Sequence, residues 1–498
     1  MINKGSLFFA LLIGCSGHLF SQDKRYDVSL NKNELVLEVA NIEEGGLLIK
    51  TGALSLFGKN VNTIHYISSS GQELWSKELK SEIAMLRSHN ILVASPNGDV
   101  VYNIELNANM FYNEAQYLTQ IKRDGEEKKF VLKVKEEYGK NLLNIFCDDQ
   151  YLYYVTAEEG WEMHENKKTK EKLVINRFSH NDFSYTKIYP SMPTIEDGET
   201  TSFWIYGGQF KGEKYFYSKT IDIDKGAGSV QLVVLDNEGK VLRKSLIPIT
   251  LAPGTCPRPS VDLSPVADLW NYHSFGYSRC NFDFIMTVPK GGMSFTPAGA
   301  IAGGFRVPPS MNTQRINYKY TSSAFIRVAI DGEHQALYIF GLYGHKPFRQ
   351  VASRYEGFYI QKFDLNGGNQ WSLVQPAPDE LKKVAKFTIH AAPHQRNIAL
   401  EFLPDSNVAF AVSVLSDAFT FSISSDGKLQ KVAHAAKGES FYGSALNTEL
   451  SPKAKTYVDQ EFGKSKDIGQ RVFLHSMGDD LLLFDKRKSK VSVLFFKR

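Results

Sequence analysis

NTIHYISSSGQELWSKEL, residues 62–79, alternates apolar and polar side chains, breaks at a small polar turn that ends in Gly71, and then alternates again. A two-residue period is that of a half-buried strand, and glycine supplies the left-handed backbone that tight hairpin turns use, so the stretch reads as a β-hairpin. The same shape returns as QYLTQIKRDGEEKKFVLKV around Gly125, KLVINRFSHNDFSYTKIYP around Asn181 and Asp182, and VQLVVLDNEGKVLRKSLIPI around Gly239. FYIQKFDLNGGNQWSLVQP around Gly367 and FTFSISSDGKLQKVAHA around Gly427 complete the series. Recurrence at about 50 to 60 residues, with several strands in each unit, is the sequence signature of a β-propeller.

Working outward from the hairpins, the units resolve into four-stranded blades. In the third, LLNIFC, YLYYVTAE, KLVINRF and SYTKIYP follow one another, and in the fourth SFWIYGG, EKYFYSKTID, SVQLVVLD and KVLRKSLIPI. The sixth repeats the order as NIALEFLP, VAFAVSVL, AFTFSIS and KLQKVAHA. At the C-terminal end RVFLHSM, DDLLLFDKR and KVSVLFFKR give three strands and no fourth, while NELVLEVAN near the N-terminus precedes the first blade's GGLLIKTG. Pairing that N-terminal strand into the last blade would bury two free edges. The expectation is an all-β chain forming one propeller over 23–498, with seven four-stranded blades closed by an N-terminal strand.

The rhythm breaks between Gly239 and Gly367. AFIRVAI, QALYIFGLYG, GFYIQKFD and NQWSLVQP already make a blade there, which leaves 251–320 as a long insertion or cover. An eighth blade containing FDFIMTVPKGGMSF is the alternative. Long irregular segments in compact domains are commonly functional loops, so this is the expected site of recognition. Its Trp270, Tyr272, His273, Phe275 and Tyr277 are the candidate ligand-contacting residues, aromatic faces being suited to stacking on sugars. The competing reading is that they anchor the insertion to the ring. Trp75 and Trp371 occupy matching places after their turns, which points to a repeated packing role.

The N-terminal MINKGSLFFALLIGCSGHLFSQ has a lysine at position 4, an apolar run from Leu7 to Ile13 and small residues beyond, the pattern of a secretory signal peptide over 1–21. Two processing routes compete. Cleavage before Gln22 would release a soluble chain, whereas Leu12-Ile13-Gly14-Cys15 resembles a lipobox whose acylated Cys15 would tether the protein to a membrane face. Either route places it outside the cytoplasm, in the periplasm, on the outer membrane or secreted. No later run of about 18 apolar residues is present.

Beyond Cys15 the cysteines are Cys147, Cys256 and Cys280, with no CxxC pair, so neither a zinc cage nor a dithiol redox site is indicated. Cys256 and Cys280 flank one irregular segment and are candidates for a disulfide. Cys147, in NLLNIFCDD, reads as a buried strand cysteine. A formal charge of +4 with scattered basic residues lacks the footprint of a nucleic-acid binder. No catalytic motif stands out. HSFGYS at 273–278 is not a GxSxG elbow, and Pro393 denies His390 and His394 a shared helical face. Asp222-Ile-Asp224-Lys-Gly226 begins like a calcium loop but lacks the later oxygen ligands, and a hairpin turn accounts for it. No metal and no cofactor are expected.

The form in Gly71-Gln-Glu-Leu-Trp75 and Gly367-Gly-Asn-Gln-Trp371 resembles blades of bacterial quinoprotein-type and related secreted propellers. Quinoprotein dehydrogenases would imply a cofactor and a calcium site, and these residues supply a place for neither. The resulting expectation is a non-catalytic binding or scaffold propeller of the bacterial cell envelope, recognising a protein or polymer ligand on one face. The alternative is an envelope glycan-active enzyme, a hydrolase or lyase, whose carboxylates and histidines converge from different blades at the channel mouth.

Overall fold

In the computed structural model the described residues are 24–31, 34–42, 46–53, 61–82, 88–107, 116–132, 141–158, 172–193, 200–201, 204–222, 227–250, 326–344, 355–380, 398–414, 417–435, 456–457, 460, 472–477, 480–486 and 490–497. They form antiparallel sheets in chain order. Strand β1 (Lys24–Ser29) is followed by the first sheet, β2 (Glu34–Ile42), β3 (Gly46–Ala53), β4 (Val61–Ser68) and β5 (Glu73–Lys80). The second is β6 (Ser88–Ala94), β7 (Val100–Asn107), β8 (Gln116–Lys122) and β9 (Glu127–Leu132). The third is β10 (Asn141–Cys147), β11 (Tyr151–Glu158), β12 (Lys172–Ser179) and β13 (Tyr185–Ile188). In the fourth, β14 (Thr200–Thr201) and β15 (Ile205–Phe210) both pair with β16 (Glu213–Asp222), followed by β17 (Ala227–Leu235) and β18 (Val241–Thr250).

The fifth sheet is β19 (Ile326–Asp331), β20 (Ala336–Gly344), β21 (Tyr355–Asp364) and β22 (Asn369–Pro376). The sixth is β23 (Ile398–Phe402), β24 (Val408–Val414), β25 (Asp417–Ile423) and β26 (Leu429–Ala435). Strands β27 (Val472–Met477), β28 (Asp480–Lys486) and β29 (Lys490–Lys497) make the last sheet, and β1 completes it by pairing with β29 from Lys24 opposite Phe495 to Ser29 opposite Lys490. Apart from β1 and the short β14, the strands of each sheet follow one another as a meander. The first strands of successive sheets touch one another, β2 with β6, β10 with β6, β10 with β15 and β15 with β19. Sheets that fan out face to face from converging first strands are the blades of a β-propeller.

One expectation about the chain's N-terminal region is corrected. NELVLEVAN does not complete the last sheet; it lies in β2, the first strand of the first sheet, where Ala40 and Ile42 are buried against the second sheet. The completing strand is KRYDVS, β1. Its charged residues alternate with Tyr26 and Val28, which suits a last strand with one wet face better than a first strand enclosed by neighbours.

The turns between third and fourth strands share one geometry. Gly71 N–H donates to the Ser68 carbonyl (2.9 Å) and Ser68 N–H to the Gln72 carbonyl (2.8 Å), with Gly71 at φ +78°. The pattern repeats at Lys122–Glu126, Asp236–Lys240, Asp364–Gly368 and Ser424–Lys428. The third sheet departs from it. There the left-handed residue is Phe183, at φ +60°, one position beyond the predicted Asn181 and Asp182, and its ring stacks on Phe130 of the second sheet with centroids 3.7 Å apart.

Each of these turns is seated on its predecessor. Gly71 lies against Lys24 of β1, Gly125 against Lys77, Gly239 against Ile188, Gly367 against Leu246 and Ile247, and Gly427 against Trp371. The Gly427 seat shows why a side chain is excluded, since a Cβ there would come 2.7 Å from Trp371 Cδ2 and the φ of +82° already disfavours one.

A second regularity concerns the carbonyl of the second residue of these turns. Five of these carbonyls accept a hydrogen bond from the preceding sheet. Lys24 Nζ donates to Ser69 O (2.6 Å), Gln120 Nε2 to His180 O (2.7 Å), Arg177 Nη1 to Asn237 O (3.0 Å), Ser245 Oγ to Leu365 O (2.6 Å) and Trp371 Nε1 to Ser425 O (2.8 Å). The Gln120 bond is buried and the Lys24, Arg177 and Trp371 bonds are solvent-exposed, and each of the five ties two neighbouring sheets together.

Candidate functional site

The strand meander gives every sheet two unlike ends. Connections between first and second strands and between third and fourth strands lie at one end and never exceed five residues. At the other end the chain passes from second to third strands and from sheet to sheet, and there it runs over 159–171, 251–325, 377–397 and 436–471. Short turns are set by backbone geometry, whereas long connections are free to vary and carry recognition, so the two ends are called here the tight-turn end and the long-connection end.

At the tight-turn end a buried polar network joins the second, third and fourth sheets. Asp148 follows β10, and its Oδ1 accepts from the backbone N–H groups of Gln150 (2.9 Å) and Tyr151 (2.8 Å). Its Oδ2 accepts from the Tyr153 hydroxyl and from Lys214 Nζ at 3.4 Å. The Lys214 ammonium also donates to Asn237 Oδ1 (2.5 Å) and lies 4.5 Å from the centre of the Tyr153 ring. Its side chain is 2% exposed, and burial pulls its pKa down against the opposing pull of Asp148. The Tyr153 hydroxyl is pushed up, by burial first and by the adjacent Asp148 second.

His180 ties this network to the second sheet. Its Nε2 meets the Asp148 carbonyl at 2.9 Å, and a carbonyl only accepts, so Nε2 carries the proton. Nδ1 must then accept from the Tyr102 hydroxyl (2.9 Å), which in turn accepts from Gln120 Nε2 (2.9 Å). Burial lowers the His180 pKa, which keeps the ring neutral. Every one of these groups is satisfied inside the network, so its chemistry is that of a joint between sheets.

A neutral buried histidine fixes the sign of a pH effect. The unfolded ring titrates near pH 6.5 and the folded one lower, so unfolding takes up a proton as the pH falls. Stability is fully present above about pH 6.5, declines below it, and levels off once the folded ring is protonated. Urea unfolding at pH 7.5 and 5.5 should show this decline in the wild type and a smaller one in His180→Gln. An equal decline in both would remove His180 as its cause.

The sequence-predicted contact residues Trp270, Tyr272, His273, Phe275 and Tyr277, the cysteine pair Cys256 and Cys280, and Cys15 all lie outside the described residues, as do His390 and His394. The segment that holds the five contact residues joins β18 to β19 and is therefore attached at the long-connection end. Cys147 is a free cysteine fully buried at the end of β10, its thiol pKa raised by burial. Asp222 pairs with Ala227 across the β16–β17 hairpin, as the hairpin reading of that segment requires. Trp75 and Trp371 both pack between sheets, against Tyr66 and Tyr338 respectively, in edge-to-face contact. Among the described residues no three of His, Cys, Asp and Glu are grouped to hold a metal.

No protein-family model matches the chain, and no curated protein matches it in sequence. Among solved structures it is similar to the β-propeller domain of the Trilobed protease from Pyrococcus furiosus, at a TM-score of 0.40 and 9% identity over 94% of this chain and 96% of that one. It is similar also to the polysaccharide lyase Uly1, at 0.39 and 7% over 94% and 98%. A third is prolyl oligopeptidase B from Galerina marginata, at 0.36 and 7% over 93% of this chain and 48% of that one. These likenesses are of fold only.

Proposed function

We propose that this protein is a non-catalytic binding or scaffold propeller of the bacterial cell envelope that holds a protein or polymer ligand at its long-connection end. The observation that carries the reading is the asymmetry of the connections, none longer than five residues at one end against 251–325 and 436–471 at the other. A composite surface assembled from the loops of several blades needs no local motif, which accounts for a chain without one. The buried titratable network sits at the opposite end and is closed on itself. The N-terminal leader and the alternatives at Cys15 and Gln22 supply the envelope setting.

The test is capture from solubilised envelope by the intact protein and by a variant carrying Trp270→Ala, Tyr272→Ala, Phe275→Ala and Tyr277→Ala. Loss of a specific protein or glycan from the variant, at unchanged circular dichroism and melting temperature, is the expected result. Equal capture by both would move recognition away from these residues, and turnover of an envelope glycan by the purified chain would replace the binding reading with the enzymatic one. Mass spectrometry of the mature N-terminus separates release at Gln22 from acylation at Cys15.

A further inference from the structure

We infer that Asn366 is a site of spontaneous covalent modification, at which water replaces the side-chain amide by way of a cyclic imide. An asparagine followed by glycine is open to this chemistry because no Cβ on the glycine screens its backbone nitrogen from the asparagine Cγ. The chain has two such pairs, Asn97-Gly98 and Asn366-Gly367, and the fold holds them differently. Asn97 is half-buried, and its Oδ1 accepts from Ser95 Oγ (2.7 Å) and from the Asp99 N–H (2.9 Å). Its own N–H donates to Asp149 Oδ1 (3.1 Å), and Gly98 is buried against Tyr66 of the first sheet. Asn366 is exposed; its N–H donates to Asp364 Oδ1 (2.8 Å), but among the described residues nothing hydrogen-bonds its side chain. Both glycine N–H groups are engaged alike, Gly98 with the Ser95 carbonyl (2.9 Å) and Gly367 with the Asp364 carbonyl (3.1 Å). The difference therefore lies in the asparagine side chains.

The Gly367 nitrogen attacks Asn366 Cγ, and the new N–C bond closes a five-membered imide. The side-chain nitrogen leaves as ammonia, taking up the proton that Gly367 gives up. Water then opens the ring at one of its two carbonyls. Opening at the former side-chain carbonyl restores the peptide path and leaves an aspartate. Opening at the other leaves an isoaspartate, whose main chain runs through Cβ and Cγ and is one atom longer. The two products differ in what this turn accepts. Asp124 and Asp426 stand just before Gly125 and Gly427, the place that Asn366 has before Gly367, so the turn accommodates an aspartate. An added main-chain atom has no such precedent. On one side Ser245 Oγ latches the Leu365 carbonyl to the fourth sheet (2.6 Å), and on the other Gly367 is seated against the Leu246 carbonyl and Ile247. Lengthening the chain between two fixed points breaks the latch or the seat.

Peptide mapping of the purified full-length chain, aged in mildly alkaline buffer, tests this. Mass spectrometry should show the amide at Asn366 lost at least about tenfold faster than that at Asn97, whose two side-chain hydrogen bonds must first break. Equal or slower loss at Asn366 would overturn the inference. Melting gives a second reading. Asn366→Asp should melt as the wild type does, whereas the aged wild type should acquire a lower-melting population in proportion to its isoaspartate, measured by enzymatic methylation. Asn366→Gln aged in parallel should keep a single transition, which excludes damage elsewhere. Aged wild type that carries isoaspartate at position 366 and still melts as one unshifted population would sink the link to the latch and the seat.

Discussion

Removal of the last ten residues, 489–498, should abolish cooperative folding of the whole chain. The deletion takes away β29, which lies between β28 and β1, so both neighbours lose their partner at once. Val491, Val493, Leu494, Phe495 and Phe496 are all at most 2% exposed, and three of them pack with Val28, Leu47, Ile49 and Ile67 of β1 and the first sheet. At about 1.5–3 kcal/mol for each side chain, the burial lost is about 8–15 kcal/mol. That matches the entire stability of a typical domain, about 5–15 kcal/mol. The deletion variant should show no near-ultraviolet dichroism and no sigmoidal urea transition, whereas Phe495→Ala should remain folded with a loss of about 3–5 kcal/mol. A truncated chain that melts at the wild-type temperature would contradict the pairing of β1 with β29.

The second large effect is expected from Asp148→Ala. The substitution leaves the Lys214 ammonium buried without its carboxylate and strips the Tyr153 hydroxyl and two backbone N–H groups of their acceptor. Breaking a buried pair by removing one partner costs about 3–5 kcal/mol, more than the pair itself is worth. Asp148 is itself partly exposed, so the lower end of that range applies here. Urea unfolding should show a loss of about 3 kcal/mol at an unchanged slope. Adding Lys214→Met to the variant should restore part of the loss, because it removes the stranded charge. A double variant as unstable as the single one would mean that the backbone N–H groups of Gln150 and Tyr151, which donate to Asp148, matter and the charge pair does not.

Much of the architecture is legible in the sequence, for physical reasons that also show where legibility ends. The hairpins announce themselves because a left-handed turn residue selects glycine at positions 71, 125, 239, 367 and 427. At the third hairpin the same backbone is held by Phe183, which gains a stack on Phe130, and the glycine signal is absent. The completing strand is hidden for a different reason. A half-wet last strand such as KRYDVS carries only two apolar residues, so NELVLEVAN looks the better strand by pattern and is assigned the wrong sheet. The latches leave no trace in one sequence, since lysine, glutamine, arginine, serine and tryptophan all fill the same role from different strands. The His180 network likewise brings together residues from 102 to 237 that share no motif. The candidate contact residues are readable as an aromatic group in a long connection, but nothing in that composition names the ligand.

The seating of each turn on the sheet before it gives the molecule a direction of assembly. As the chain emerges from a ribosome or a translocation pore, every new sheet from the second to the sixth finds its docking surface already made. Growth can therefore proceed like courses of masonry, with only neighbouring contacts to search for. The first sheet is the exception, because its seat is on β1, which has no sheet of its own until β29 arrives. Arg25 meets Ser492 across a separation of 467 residues. Loop closure over that distance is the slow kind of step, so the stack should form early and its two terminal regions should join last. Until they do, β1 and β28 present bare edges, and the nascent protein is most exposed to aggregation at the moment when almost all of it is already built.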